Sequence, residues 1–290
     1  LELIGGIGLT KELVEKAINN GKHVITANKA LIANHGNELI KLANKKQVRL
    51  LFEASVAGGI PIIKSLEQGL SANNIESLAG IINGTGNFIL TDMKEKGRDF
   101  DDVLKEAQAL GYAEEDPTFD IEGIDAAHKL SILAAIAFGT ELQFDKVSTK
   151  GISDITTEDI IHASELGYTI KHLGIAKRTG EGIELRVHPT LVPNKQLIAQ
   201  VDGVMNAVMV KSDALGTSLY YGAGAGDEAT ASAVIADLND IINNQTSNHI
   251  LGWKSHQKLP VIKNDDIHSE FFLRLLVSDI KGVLAKVTGI

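Results

Sequence analysis

The chain has no cysteine. Disulfides, thiolate metal sites and cysteine nucleophiles are therefore excluded, and a cysteine-free chain fits a cytoplasmic setting best. Aromatic residues are only 4% of its 290 residues, so the core has to be built from Ile, Leu, Val and Ala. Positive charge is also scarce: 28 Lys and Arg stand against 37 Asp and Glu, a net charge of −9. With no Lys/Arg block, the chain lacks the basic face that nucleic-acid binding needs. No apolar run approaches the roughly 20 residues that cross a bilayer, so no membrane role is expected, and no signal peptide is expected either. The nine histidines show no His-x-x-x-His pairing for a transition metal, and no Gly-x-Ser-x-Gly elbow marks a hydrolase. What remains is an ordinary globular composition, 44% apolar and 22% charged, long enough for two compact domains.

From the start to about Val56 the pattern alternates strand and helix. Leu3-Ile4 ends a strand. An amphipathic helix follows over Thr10–Asn20 with Thr10 as N-cap, and Gly21 stops it. His23–Thr26 and Val48–Phe52 read as buried strands, joined by a helix over Leu31–Lys45. Apolar strands joined by helices predict a parallel sheet covered on both faces, with ligands beyond the carboxyl ends of the strands. Those ends are Gly5-Gly6, Ala27-Asn28-Lys29 and Glu53-Ala54-Ser55. The middle of the chain reads differently. A strand over Ile75–Ile82 runs into Asn83-Gly84-Thr85-Gly86; helices are expected around Phe88–Lys96, Phe100–Leu110 and Ile121–Phe138. Tyr168–Lys177 and Gly182–Leu191 predict an antiparallel hairpin, Val204–Lys211 and Ser218–Tyr221 further strands, and Gly226–Ile242 an alanine-rich helix. The fold class is α/β: a partial, Rossmann-like parallel sheet followed by an α+β domain with a mixed sheet. Leu1 opens inside a strand, Glu270–Val277 reads as another strand, and the sequence stops at Ile290 inside an apparent helix, so a piece of a longer protein is expected.

A dinucleotide-binding βαβ unit carries Gly-x-Gly-x-x-Gly after a strand, so that backbone N–H groups hold the pyrophosphate. Neither Gly84-Thr85-Gly86 nor Gly222-Ala223-Gly224-Ala225-Gly226 has that spacing. From the residues alone, the opening is either the second half of such a domain or a small α/β unit that binds no nucleotide. The run Glu114–Lys129 holds the strongest candidates for chemistry. Pro117 breaks any helix, so Glu114, Glu115, Asp116 and Asp120 gather on a loop before a helix starting near Ile121. Asp125 and Lys129 then lie i, i+4 on one face, where the helix dives into the apolar stretch Leu130–Phe138. An ammonium there, flanked by acids, can protonate an alkoxide while the acids bind a substrate ammonium. The plainer reading is a surface ion pair over an acidic first turn. Asn28-Lys29 is either a capping Asn with a solvated Lys or a cation at the crevice edge. Glu53–Pro61, a strand end passing through a glycine turn, is either a tight turn or a ring of carbonyls for a hard cation.

The segments Glu2–Gly6, Val24–Ala33, Glu53–Pro61, Ile82–Leu90, Leu110–Leu133 and Tyr221–Asp237, taken in this order, resemble homoserine dehydrogenase over nearly the whole chain. The resemblance implies NAD(P)-dependent interconversion of L-homoserine and L-aspartate 4-semialdehyde, in the threonine and methionine branch of aspartate metabolism. Lys129 matches the family's proton-donating catalytic lysine and Lys29 a second lysine at the cofactor–substrate junction. Glu114, Asp120 and Asp125 match acids of the substrate pocket, and Gly111 and Gly224 fall where the chain nears the nicotinamide. Glu53, Val56, Gly58 and Ile60 match positions whose carbonyls bind a monovalent cation, typically sodium. The family's Gly-rich phosphate loop is expected upstream of Leu1, with the determinants of NAD against NADP preference. The implied domains are 1–60 (the end of the nucleotide-binding domain) and 61–245 (substrate binding and dimerisation), the 226–242 helix packing back on the first. A linker over 246–267 and the start of a truncated ACT-like regulatory domain over 268–290 follow. Feedback by threonine and assembly as a homodimer or larger homo-oligomer are implied with them. Two other readings compete: an amino-acid-binding regulatory module without turnover, and an oxidoreductase for a related amino-acid aldehyde.

Overall fold

The structure, a computed structural model, describes residues 1–243, 258–278 and 280–289. Its first part is a small parallel βα unit. Helix α1 (Gly8–Asn19) buries Val14 and Ile18 and leads to strand β1 (Val24–Ile25). Helix α2 (Lys29–Lys45) crosses to strand β2 (Leu50–Leu51), which pairs parallel with β1. A parallel bridge between Glu2 and Thr26 adds the opening residues as a third position of the same sheet. α1 starts earlier than the pattern predicts. Ile7 is its N-cap, and the Thr10 hydroxyl donates instead to the Gly5 carbonyl at 2.6 Å. The glycine turn before α1 supplies the hydrogen-bond acceptor, so Thr10 ties the turn to the helix rather than starting it.

A short 3₁₀ turn over Glu53–Ser55 and helix α3 (Ile62–Lys64), which widens into a π-helical turn over Ser65–Gly69, lead to the second part. Strand β3 (Ile75–Ile81) is followed by α4 (Gly84–Lys96), α5 (Phe100–Ala109), α6 (Thr118–Ile121) and α7 (Ile124–Phe138). The expected single helix from Ile121 is two helices: Gly123, at φ 81°, breaks α6 from α7. A side chain there would also meet Val187 at 2.9 Å. Strand β4 (Ser148–Thr149), helix α8 (Thr157–Glu165), the β5 (Tyr168–Arg178)–β6 (Ile183–Pro193) hairpin, β7 (Met205–Ser212), β8 (Gly216–Ala223) and helix α9 (Asp227–Asn243) follow. The sheet runs β4-β6-β5-β3-β7-β8; β4 and β6 are parallel and the other pairs antiparallel. This is the mixed sheet the sequence predicts. The pattern missed α8, although its capping box, Thr156 with Asp159, is a local start signal.

Helix α7 is buried on nearly every side, as an all-round apolar helix must be. Its side chains join one core with those of α2, β3, β5 and β6, so the parallel unit and the mixed sheet share an interior. α9 returns to the parallel unit: Ala233 and Val234 pack with Ile25, Leu51 and Ala54.

Much of the expected 246–267 linker lies outside the described residues. From Lys258 on, the chain runs along β6: the Ile183 N–H donates to the Pro260 carbonyl and the Ile262 N–H to the Ile183 carbonyl, both at 2.9 Å. The strand expected over Glu270–Val277 does not form. Those residues have no regular structure, and Leu276 is fully exposed. A strand needs a neighbour for its N–H and C=O groups, and no described segment lies alongside to pair with it. Helix α10 (Val283–Thr288) follows Gly282, while Asp279 and Ile290, part of the expected regulatory pattern, lie outside the described residues. No helix among the described residues is long and apolar enough to cross a membrane.

Candidate active site

The carboxyl ends of the parallel strands and the amino end of α7 converge on one carboxylate. Asp125 sits in the first turn of α7 and is 3% exposed. Its Oδ1 lies 3.0 Å from the Lys29 ammonium, and its Oδ2 accepts from Lys129 at 2.8 Å. The Asn83 amide donates to the same Oδ2 at 2.9 Å and to Asp120 Oδ1 at 2.7 Å. Burial pushes the Asp125 carboxyl up, but the two ammonium groups and these hydrogen bonds outweigh it and hold it at about 2. Asp120 is shifted the other way. Burial raises it, the Asn83 hydrogen bond opposes the rise, and the Asp125 charge adds to it.

Each member is placed by a local rule. Asn83 lies just beyond β3 and caps α4: its Oδ1 accepts from the Gly86 N–H at 2.8 Å while its amide faces the carboxylates. Lys129 is one turn beyond Asp125, and its ammonium also donates to the Ile82 carbonyl at 2.7 Å. Lys29 opens α2 directly after the N-cap Asn28, whose Oδ1 accepts from the Leu31 N–H at 3.0 Å. Asn28 is a cap, as one reading had it, but Lys29 is not merely solvated: the cap delivers it to Asp125. Asn28 is fixed in turn. Its amide donates to the Gly6 carbonyl, and its N–H donates to Thr26 Oγ1, which donates to buried Glu2.

The structure thus brings Lys29, Lys129, Asp120 and Asp125 together. Glu114 and Gly111 lie apart from the ion-pair cluster, exposed on the loop after α5. That loop reaches the cluster through Tyr112, whose carbonyl accepts from the Thr85 hydroxyl 3.3 Å from Asp120.

A second group forms where the Glu53–Ile60 turn meets the turn between β8 and α9. Ala57 (φ 56°) and Gly58 (φ 54°) are both left-handed, a strain that a buried alanine holds only when its surroundings impose it. A side chain at Gly58 would meet the Gly224 backbone at 2.6 Å, and one at Gly224 would collide with the Asn206 side chain. The Gly59 N–H donates to the Ala223 carbonyl at 3.0 Å. Among the described residues the Val56 and Gly58 carbonyls accept no hydrogen bond, whereas Glu53 and Ile60 accept the N–H groups of Val56 and Ile62. The Glu53 carboxylate caps α3, accepting from the Ile63 and Lys64 N–H groups at 2.8 and 2.9 Å. Its neighbour Asp237 accepts the Glu53 N–H. Burial raises both carboxyls, Glu53 to about 7 and Asp237 to about 6.

Sequence reasoning missed Glu2, Asn83 and Asp237 as shaping residues. Asn83 carried a signal, an amide directly between an apolar strand and a glycine-rich helix start. Glu2 and Asp237 depend on contacts across 24 and 184 residues and carried none.

Parallel strands whose carboxyl ends face an amine–carboxylate cluster define an α/β protein built like the dinucleotide-dependent oxidoreductases. A family model described as homoserine dehydrogenase matches residues 61–239, and one described as homoserine dehydrogenase, NAD binding domain, matches residues 1–53. The homoserine dehydrogenase of Pseudomonas aeruginosa is 61% identical over 300 residues, covering 100% of this chain and 68% of its own length. That of Neisseria gonorrhoeae is 55% identical over 297 residues, with 100% and 68% covered. Among solved structures, a homoserine dehydrogenase from Thiobacillus denitrificans superposes with TM-score 0.87 at 61% identity, over 90% of this chain and 62% of that one. A hyperthermophilic archaeal homoserine dehydrogenase in complex with NADPH superposes with TM-score 0.73 at 29% identity, over 85% and 72%. The chain belongs to the homoserine dehydrogenase family, a family of oxidoreductases.

Proposed function

We propose that the chain interconverts L-homoserine and L-aspartate 4-semialdehyde, with Lys129 as the proton donor to the carbonyl oxygen. One observation carries this reading: two ammonium groups, Lys29 and Lys129, converge on the buried carboxylate of Asp125. An ammonium has three N–H donors, and Lys129 spends two of them on Asp125 and Ile82. The third is left for the substrate oxygen, where the charge beside a forming alkoxide stabilises it. Asp125 holds both amines in place, and the Asn83 amide bridges the two carboxylates by donating to each. Asp120 supplies negative charge that an α-ammonium group needs, and Glu114, exposed on the loop after α5, would add to it from outside the cluster.

The donor set fits a nicotinamide dinucleotide, NAD or NADP, whose part is to give or take hydride at the substrate carbon. Lys29 at the end of β1 would lie at its junction with substrate, and Gly111 and Gly224 at its nicotinamide end. The Glu53–Ile60 turn fits a monovalent cation, sodium, held by the Glu53, Val56, Gly58 and Ile60 carbonyls; the unpartnered Val56 and Gly58 oxygens support this. The boundaries 1–60, 61–245, 246–267 and 268–290 complete the reading, the last an ACT-like segment for a threonine effector. Support for a homodimer is that β8 is an edge strand of the six-stranded sheet, with Tyr221 exposed on it. A cytoplasmic setting rests on the absence of cysteine. The non-catalytic module is disfavoured, because an amino-acid pocket alone needs no dinucleotide-binding segment beside it.

The test follows NADPH absorbance with homoserine in the forward direction. Turnover is expected of the chain extended upstream through the Gly-rich phosphate loop, and little or none of residues 1–290 alone; in the extended chain Lys129→Met should lose about 10²- to 10⁴-fold in kcat with its circular dichroism unchanged. Undiminished turnover by a folded Lys129→Met protein would overturn the assignment.

A further inference from the structure

We infer that Phe119 and His128 are positioning residues for Lys29: a row of tilted, contacting aromatic rings holds its ammonium beside Asp125. The inference rests on the active-site reading above, but its geometry stands apart from turnover. The Lys29 ammonium lies 5.8 Å from the centroid of the Phe119 ring, within reach of the ring's negative face. Phe119 is on α6 next to Asp120 and packs at 5.4 Å against the imidazole of His128. His128 packs in turn at 4.1 Å on Phe144. The row of rings Phe144–His128–Phe119 therefore runs from the core outwards and ends under the amine.

Two features make this more than filling of space. His128 is 5% exposed, and its Nδ1 has no hydrogen-bond partner among the described residues. An orphaned buried nitrogen costs on the order of a kilocalorie or more, which an aliphatic side chain would avoid. The flat ring is what the position uses: it lies between the two phenyl rings, tilted 47° to Phe119 and 41° to Phe144. Neutrality is also required. His128 lies on α7 between Asp125 and Lys129, and Lys29, Lys129 and Asp125 are the charged groups facing it. Burial, reinforced by the lysines and opposed by Asp125, lowers it to about 4, so no third cation sits behind the two amines.

The row of rings answers a problem of the site itself. Asp125 is shared: Lys129 holds Oδ2 and Lys29 holds Oδ1. Were Lys29 anchored by that oxygen alone, each shift of the carboxylate toward Lys129 would release it. Phe119 gives Lys29 a second anchor that does not compete with Lys129.

The experiment labels lysines as ¹³C-dimethylamines and reads Lys29 by nuclear magnetic resonance, its signal assigned by Lys29→Arg. In the wild-type chain the Lys29 methyl protons are expected upfield of the other lysines, through the ring current of Phe119. Phe119→Leu should abolish that displacement and lower kcat/KM of the extended chain for homoserine about 3- to 10-fold, and Phe119→Tyr should restore both. His128→Phe, which keeps a neutral ring, should preserve the displacement, and His128→Ala should weaken it. A Lys29 signal at the ordinary lysine position, or one unmoved by Phe119→Leu, overturns the inference. A displaced Lys29 signal in a chain that, extended upstream through the phosphate loop, still does not oxidise homoserine overturns the activity reading and leaves the positioning intact.

Discussion

The site turns on how one carboxylate carries two amines. Asp125 is nearly inaccessible to solvent, and an isolated buried carboxylate would be neutral at ordinary pH. It remains ionised because Lys129, Lys29 and Asn83 all contact it. Its pKa falls from 3.8 to about 2 on folding. A depressed carboxyl adds stability that is present above its unfolded pKa and lost as pH falls through the folded one. Urea unfolding between pH 5 and pH 2 is therefore expected to show a loss of about 2 kcal/mol, concentrated below pH 4, that Asp125→Asn does not show. The same variant, measured at pH 7, should be less stable by about 2 kcal/mol, because two amines are left without a counterion. Equal acid limbs for the two proteins would show that the carboxylate is not held by these amines. The lysine–aspartate pair at i, i+4 was legible in the sequence, since helical spacing fixes it. Lys29 as the third member was legible only as a position at a strand end, because its partner lies 96 residues away across the fold.

At the scale of elements, the turns carry the function and the helices and strands hold the turns. The parallel unit and the β5–β6 hairpin followed from period and turn chemistry, and the structure moves their ends by only a few residues. The strand at Glu270–Val277 did not follow, because alternation promises a face and not a partner, and no described segment offers one. The glycine turns lie between these cases. Sequence marked Glu53–Ile60 and Gly222–Gly226 separately, yet only the fold shows that Gly58 and Gly224 touch backbone to backbone. Gly58→Ala should therefore be costly twice over, through its positive φ and through a contact that backbone cannot vacate. If the turn binds sodium, thermal unfolding of the wild-type chain should rise in sodium chloride relative to choline chloride, by mass action on the folded state. In Gly58→Ala that salt-specific rise should vanish. A rise of equal size in both proteins would place sodium elsewhere. Asn28→Ala is the matching test on α2. Loss of the cap should cost about 1 kcal/mol in urea unfolding.

For the molecule as a whole, the question is what couples the parallel unit to the mixed sheet. Beside the Lys29–Asp125 ion pair and the turn contact at Gly58, two connections matter most. One is the shared core around α7, in which α2 and the strands β5 and β6 meet. The other is α9, which leaves β8 and closes over β1 and β2. On α9, Asp237 accepts the Glu53 N–H at 2.9 Å and lies 3.6 Å from the Lys64 ammonium. Asp240 pairs with the same lysine at 2.9 Å, and its carbonyl accepts from Arg49. The core resists separation by apolar area alone, whereas α9 combines a small apolar patch, Ala233 and Val234, with these specific polar contacts, which a single substitution can open. Asp237→Ala leaves the buried Glu53 N–H without an acceptor, a loss of about 1–3 kcal/mol. Asp237→Asn keeps an acceptor oxygen and should lose less. Because the core still ties the halves together, the opening in Asp237→Ala should be local. Hydrogen exchange should quicken at β1, β2 and the Glu53–Ile60 turn, with β3 and β5 unchanged. Uniform quickening across both sheets would mean that α9 stabilises a single cooperative unit rather than clamping one half against the other.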